Sequence, residues 1–323
     1  MGIKGFHHAT KHLLQCDVPL SHFAGKVVAV DASSWMYKST VGHARSLLLG
    51  ELETMPWCEY SVAMINLLRS SGITPLVVFD GHRHTLKENT CVTRHTKKAE
   101  AMKEAMIMET LGDRQSAEKM WMQAFFVTKQ MERDVIHILD QINVRYVVAE
   151  QEADQEIGRL CQSGVAYAAI SEDSDLFGYG VDRMLFKMKL QDGSFEYLDC
   201  MRPLPSGENL PTSNKRRSII TLHDLSRTQR ALIATFSGND YVSNPKNFGV
   251  KKIYTLAKRS TTFDNMVENM SLVMDLDSDY VAAAQKVFEL YMLGEGGTHL
   301  DAREESVEIV VAQRKDSIQV GLC

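Results

Sequence analysis

Cysteine is scarce and scattered in this chain of 323 residues: Cys16, Cys58, Cys91, Cys161, Cys200 and Cys323 form no CxxC pair. A zinc ribbon needs close Cys or His pairs and a small secreted scaffold needs a dense disulfide framework, so both are excluded. Thiols spaced this widely fit a reducing compartment, cytosol or nucleus. Long apolar runs are also missing. No stretch approaches the ~20 residues of a membrane-spanning helix, and no membrane association is expected. The opening MGIKGFHHATKHLLQ lacks the apolar centre of a secretory signal, and Phe6 stands where N-myristoylation wants Ser or Thr. No internal repeat is present.

An excess of positive charge is lacking too, since the formal net charge is −5. The deficit is local. From Ser271 onward there are 4 Lys/Arg against 10 Asp/Glu, whereas residues 1–270 hold 32 against 31. If seven of those acids surround metal ions, the rest of that body is basic on balance, and clustered charge is what meets phosphates. Bulk charge therefore neither supports nor excludes nucleic acid. What the chain does have is length and 44% hydrophobic residues, enough for one large core with or without a smaller appendage.

Short β-branched runs end in acids. Lys26-Val-Val-Ala-Val-Asp31 and Pro75-Leu-Val-Val-Phe-Asp80-Gly81 read as buried strands, as do Arg145–Ala149 and Ala166–Asp173. Residues 59–70 and 128–142 between them carry apolar positions at helical spacing. Residues 84–126 show no strand signal and are rich in Met and charge, so two helices are expected there, with Met120, Met122, Phe125 and Phe126 packed in the core. The stretch 202–217 reads as a loop, whose Lys215-Arg216-Arg217 could touch phosphate or simply be solvated. Strand–helix alternation implies an α/β fold with a mostly parallel sheet flanked by helices. Ligands of such sheets bind outside the carboxyl ends of the strands. Asp31, Asp80 and Asp173 fall there, although each alone could equally be a helix N-cap or turn former.

The densest acidic signals are Glu152-Ala-Asp154 and Glu172-Asp173-Ser-Asp175. In extended or turn backbone, residues two apart face the same side, so each pair can aim two carboxylates at one point. Crowded carboxylates repel unless cations neutralise them. Oxygen ligands without Cys and with little His point to magnesium or manganese. Two such ions can activate water, hold a phosphate and stabilise a leaving oxygen.

The ordered set MGIKG, VVAVDASSW, LVVFDG, EAD, ISEDSDL and SGNDY resembles the 5′ nuclease superfamily of flap endonucleases, exonuclease 1 and xeroderma pigmentosum group G, over roughly residues 1–260. EAD and EDSDL look most like the exonuclease 1 branch; flap endonucleases more often read EAE and EDMD and carry a QxxLxxFF clamp motif, not seen here. The resemblance implies a PIN-like, Rossmann-like fold with a nuclease region at 1–100, a helical arch at 84–126, and a second nuclease region at 135–225. It also implies a helix–two-turn–helix region at 226–302, and leaves 303–323 as an acidic, partly disordered tail. It implies that Asp31, Asp80, Glu152, Asp154, Asp173, Asp175 and Asp240 bind two Mg2+ or Mn2+ ions, with Asp31, Asp80 and Asp173 central to catalysis. Glu172 matches no ligand position, and Glu150 and Glu156 are expected at the surface.

By the same resemblance Lys87 and Arg94, seven apart and so on one helical face, grip the scissile phosphate. Lys98 continues that face. Without the family, the three would read as a solvated basic helix. Gly2 resembles a buried N-terminal glycine that lets backbone approach DNA. Tyr37 matches a ring that stacks on the base of the cleaved end, the alternative being a core residue. Gly249, Lys251 and Lys252 match the duplex-binding hairpin, and Ser237 its potassium site. Asn247 replaces the first hairpin glycine and Pro245 is unusual there, but Asn tolerates left-handed backbone. The activity implied is 5′ to 3′ exodeoxyribonuclease with 5′-flap cleavage on double-stranded DNA bearing ends, nicks, gaps or flaps. The setting implied is nuclear, in mismatch repair, recombination or replication, by a monomer whose mismatch-repair partners bind a tail not seen in this chain. The alternatives are a flap endonuclease proper, a catalytically silent DNA-structure-binding protein, and an RNA-directed PIN-like nuclease.

Overall fold

The structure, a computed structural model, describes residues 2–51, 54–82, 85–203 and 220–293. Lys215, Arg216, Arg217 and the tail from 303 onward lie outside the described residues. Met1–Met292 forms one packed unit.

Among the described residues six strands build one sheet: β1 (Val27–Asp31), β2 (Thr74–Phe79), β3 (Tyr146–Val148), β4 (Ala168–Ile170), β5 (Arg183–Phe186) and β6 (Glu196–Asp199). Their order is β3-β2-β1-β4-β5-β6. The first five run parallel, and only β6 is antiparallel, paired with β5. The four strands read from β-branched runs are present. β5 and β6 carry weaker signals, because each is four residues long and bears charges (Arg183, Glu196, Asp199), as suits strands toward a sheet edge.

The helices are α1 (Phe6–Thr10), α2 (Ala32–Ser39), α3 (Ala44–Leu48), α4 (Pro56–Ser70), α5 (Glu88–Thr110), α6 (Arg114–Ala124), α7 (Lys129–Gln141), α8 (Ala153–Gln162), α9 (Asp175–Gly178), α10 (Arg227–Phe236), α11 (Val250–Ala257), α12 (Phe263–Ser271) and α13 (Ser278–Met292). Strand side chains alternate between two cores. Val28, Val30, Val77 and Phe79 pack with Trp35 of α2, Ile65 and Leu68 of α4, and Val135 and Leu139 of α7. Ala29, Leu76, Val78 and Met184 face the other way, onto Ile157 of α8, Leu232 and Phe236 of α10, and Leu290 of α13. Helices therefore cover both faces, which is why the central strands are apolar on both sides.

Residues 84–126 hold two helices, as expected, but not every apolar side chain there is core. Phe125 is buried, whereas Phe126 is 44% exposed. The cause is local: α6 ends at Ala124 and Phe125 is extended (φ −65°, ψ 148°), so successive side chains point to opposite sides.

The strand order reverses direction around β1. From β1 the chain steps outward to β2 and β3, then returns to β4 on β1's other side and continues to β5. A crevice opens at such a switch point beyond the carboxyl ends of the strands. Its rim is tightly built. After β2, Gly81 N–H donates to the Gln151 carbonyl at 2.7 Å and His82 N–H to the Glu150 carbonyl at 3.1 Å. A Cβ on Gly81 would collide with the Ala149 carbonyl oxygen, so the glycine of the DG pair is required by backbone-to-backbone contact. Gly81→Ala should lower unfolding free energy by roughly 1–3 kcal/mol, the usual cost of overpacking. Urea denaturation of both proteins checks this, and an unchanged midpoint would contradict it.

Candidate metal centre

Seven carboxylates converge on the crevice from five segments, and each arrives by ordinary local structure. Asp31 closes β1 and caps α2: its Oδ1 accepts from the Ser33 and Ser34 amides at 3.0 and 3.4 Å. The capping and cluster roles thus coincide in one residue. Its Oδ2 accepts from the Ser34 and Ser171 hydroxyls at 2.6 and 2.9 Å. Asp80, after β2, accepts from Ser33 Oγ at 2.9 Å and from the Ala153 amide, the first of α8, also at 2.9 Å. Glu152 precedes α8 and Asp154 lies in its first turn. Asp173 follows β4, and its Oδ1 accepts the Asp175 amide at 2.9 Å. Asp175 begins α9 and accepts from the Tyr291 hydroxyl at 3.0 Å.

Asp240 sits in the loop after α10. Ligand oxygens of Asp173, Asp175 and Asp240 all lie within 4.8 Å of one another. That spacing and the all-oxygen donor set suit a hard divalent cation.

The electrostatics carry the cost of this crowding. Burial, then neighbouring Asp80, raise the Asp31 carboxyl to about 6, against the pull of the Ser34 and Ser171 hydroxyls. Burial and the charges of Asp173 and Asp31 push Asp154 well above the ordinary range. Asp175 is pushed up likewise, by burial, Asp173 and Asp240, and Asp173 is raised chiefly by burial. The N-terminal dipoles of α2 and α8, aimed at the cluster, offset a fraction of the repulsion.

Two cations do more. Lys87 pairs with Glu152 and Arg94 pairs with Asp240 at 2.7 Å. Burial disfavours charge on Lys87, but Glu152 and Asp154 outweigh it and hold its pKa above the usual lysine value. Its ammonium also lies 4.8 Å from the centre of the Tyr241 ring. Lys87 ends a 3₁₀ turn, Thr85–Lys87, just ahead of α5, and Arg94 lies within α5.

Gly2 has φ +84°, and a Cβ there would strike Asp173 Oδ1 and Ser174 Oγ; the space freed by this glycine is occupied by the cluster's own residues. Tyr37 packs edge-on against Phe125 at 5.5 Å, and its hydroxyl accepts from Lys98 Nζ at 3.2 Å. The Lys98 ammonium lies 5.8 Å from the Tyr37 ring centre and 5.7 Å from that of Phe126. Asn247 adopts φ +65°, so it keeps the left-handed backbone for which glycine is usual. Gly249 precedes α11 with φ −87° and open space where a Cβ would stand. Lys251 is exposed, and Lys252 Nζ donates to the Asn247 carbonyl at 2.9 Å. Ser237 is fully buried and its hydroxyl has no hydrogen-bond partner, an orphan of the kind a bound cation would satisfy.

Glu172 does not join the cluster: it pairs with Lys38 at 2.5 Å and accepts the Lys187 amide at 2.9 Å. Glu150 is exposed, but Glu156, expected at the surface, is half-buried because it folds back onto Arg159. Sequence reasoning overlooked the partners of the acids. Ser33 and Ser34 stood in plain view after Asp31. Ser171 stood within the ISEDSDL motif, but only the fold brings it to Asp31; Tyr291 gave no signal at all.

The XPG N-terminal domain matches residues 1–101 and the XPG I-region matches residues 143–240, together well over half of the chain. The chain belongs to the XPG family. The first match contains Asp31 and Asp80, and the second contains the other five acids. Exonuclease 1 of Arabidopsis thaliana is 28% identical over 270 residues, covering 84% of this chain and 35% of the relative. Proteins named exonuclease and proteins named flap endonuclease both stand among the relatives. The chain spans about a third of the length of the first curated relatives it matches.

Two solved structures share the fold. The catalytic core of Rad2 in complex with DNA substrate aligns at TM-score 0.58 and 22% identity, covering 91% of this chain and 87% of that one. The eukaryotic junction-resolving enzyme GEN-1 binding with potassium aligns at TM-score 0.59 and 16% identity, covering 95% and 68%.

The raised carboxyls make a pH prediction. A carboxyl whose folded pKa lies above its unfolded value stabilises the fold below the unfolded value, and that contribution is lost as pH rises through the folded one. For Asp31 the window runs from 3.8 to about 6. In EDTA the melting temperature should therefore fall as pH rises from 5 to 7.5, and excess MgCl2 should abolish the fall. A melting temperature that stays flat or rises in EDTA would contradict this charge accounting.

Proposed function

We propose that this chain is a metal-dependent nuclease that hydrolyses phosphodiester bonds in DNA from 5′ ends, with 5′-flap cleavage as a second activity. The observation that carries the reading is the convergence of seven carboxylates at the switch point, with two cations paired to them. Asp31, Asp80, Glu152, Asp154, Asp173, Asp175 and Asp240 would hold two Mg2+ or Mn2+ ions. Such ions supply activation of water and neutralisation of charge on the phosphate and leaving oxygen.

The chain's own residues do the rest. Lys87 and Arg94 exchange their carboxylate partners for the scissile phosphate and counter charge that develops there, a contribution of the oxyanion-stabilising kind. Tyr37 offers a ring face to the base at the cleaved end; stacking tolerates any sequence, as a 5′ nuclease requires. Lys98 stands beside it. The segment Asn247–Lys252, with Gly249, Lys251 and Lys252 at the start of α11, meets the duplex backbone in the manner of a helix–two-turn–helix. Ser237, with its unpartnered buried hydroxyl, contributes to a potassium site there, a reading supported by the fold likeness to GEN-1 with potassium.

The motifs EAD and EDSDL favour the exonuclease 1 type over the flap endonuclease type. The setting that goes with this reading is the nucleus, and the processes are mismatch repair, recombination and replication, with mismatch-repair proteins as partners and the chain acting as a monomer.

The test is digestion of 5′-labelled recessed, nicked and flapped duplexes with magnesium. Release of mononucleotides from the recessed end is expected, alongside slower release of flaps; intact flaps alone would overturn the exonuclease reading. Asp173→Ala should abolish cleavage, by at least about a thousandfold, while DNA affinity in gel shifts without divalent metal is retained. An undiminished rate in that variant would remove the metal-cluster argument altogether.

A further inference from the structure

Asp175 is 2% exposed and lies at the start of α9. Its Oδ1 receives the hydroxyl of Tyr291, which belongs to α13, is fully buried, and comes 116 residues later in the chain. Tyr291 lies outside both segments that match the XPG family.

Its place is built with some care. One turn after Asp175 stands Gly178, and a Cβ there would come within 2.7 and 2.8 Å of the Tyr291 ring carbons and 2.6 Å of the Ala234 Cβ. Only the missing side chain lets the ring lie against α9. Two residues further, Gly180 (φ +81°) makes the same kind of room for Arg227, whose Nε would be 2.6 Å from an added Cβ. The Arg227 guanidinium donates to the carbonyls of both Gly178 and Tyr291, tying α9 to the last turn of α13. Tyr179 packs edge-on against the Tyr291 ring, with centroids 4.8 Å apart. The two glycines of Asp175-Leu-Phe-Gly-Tyr-Gly180 thus admit one tyrosine and the arginine that anchors it.

We propose that Tyr291 is a positioning residue for the metal centre, its hydroxyl holding the Asp175 carboxylate in the orientation that groups it with Asp173 and Asp240. The proposal rests on the reading of that group as a divalent-ion site. Hydrogen bonds to ligating carboxylates orient them, and their loss commonly weakens metal binding by about 10- to 100-fold. A buried tyrosine that only filled space would satisfy its hydroxyl wherever convenient. Here the acceptor is a carboxylate of the cluster, and the niche has been cleared in the motif that carries that carboxylate.

The experiment is calorimetric titration of MnCl2 into the DNA-free wild type, Tyr291→Phe and Gly178→Ala, with melting in EDTA recorded for each. Phe keeps the ring and removes the oxygen. The Ala variant keeps the oxygen and displaces the ring. Both should bind Mn2+ about tenfold more weakly. Tyr291→Phe should melt in EDTA within a few degrees of the wild type. The MgCl2 concentration for half-maximal cleavage should rise by the same factor while KM for DNA holds.

Tyr291→Phe binding Mn2+ as tightly as the wild type overturns the positioning role, whatever its effect on melting. A wild type that binds no Mn2+ overturns instead the metal-centre reading beneath it, so the two failures are distinct.

Discussion

Mutual repulsion among buried carboxylates governs this structure. Asp31, Asp154, Asp173 and Asp175 are largely withdrawn from water, and burial together with one another's charge raises the pKa of each. A fold does not retain such an arrangement for stability, because an unpaired buried charge is among the costlier features a protein can hold. The surroundings temper the repulsion without removing it. Serine hydroxyls and backbone amides cradle Asp31 and Asp80, α2 and α8 aim their N-termini inward, and Lys87 and Arg94 reach across from the turn before α5 and from α5 itself. A cation of higher charge density would do the same task better, and the oxygen-only donor set is the one such ions choose.

Lys87 and Arg94 have a double relation to the cluster. Their pairs with Glu152 and Asp240 supply positive charge where a nuclease would place metal ions and phosphate. In the function proposed above, arrival of ions and substrate frees these side chains from the acids for the phosphate, so the cations that hold the site together become those that stabilise its reaction. The Lys87 ammonium also stands over the Tyr241 ring, a cation–π contact that favours its charged form at this place.

Much of this was legible in the sequence, and the reasons for success and failure are physical. Strand β1 and strand β2 announce themselves because strands of a parallel sheet are covered on both faces and therefore read as continuous apolar runs. The acids at their ends are visible for the same reason, as abrupt breaks in those runs. β5 and β6 were missed because their charges and four-residue length leave no such contrast. Asp31 was legible both as an N-cap and as a cluster residue, and the structure makes it both. Phe126 was misplaced in the core because a pattern of apolar residues does not reveal that α6 stops two residues earlier. Asn247 was legible in its backbone, since asparagine visits left-handed angles at low cost and does so here. Tyr291 was not legible at all: its neighbours Gly178 and Asp175 are over a hundred residues away, and no local period records a contact made only when α13 folds back.

The central claim of the proposed function is that the seven carboxylates are a cation-binding site, beside which Lys87 and Arg94 stand paired to Glu152 and Asp240. Anomalous diffraction from crystals soaked in MnCl2 tests it most directly. The account predicts manganese peaks bounded by Asp173, Asp175 and Asp240 and extending toward Asp31, Asp80, Glu152 and Asp154, with Lys87 and Arg94 drawn off Glu152 and Asp240. Crystals that show no manganese among these carboxylates at saturating concentration, with both ion pairs intact, would contradict it.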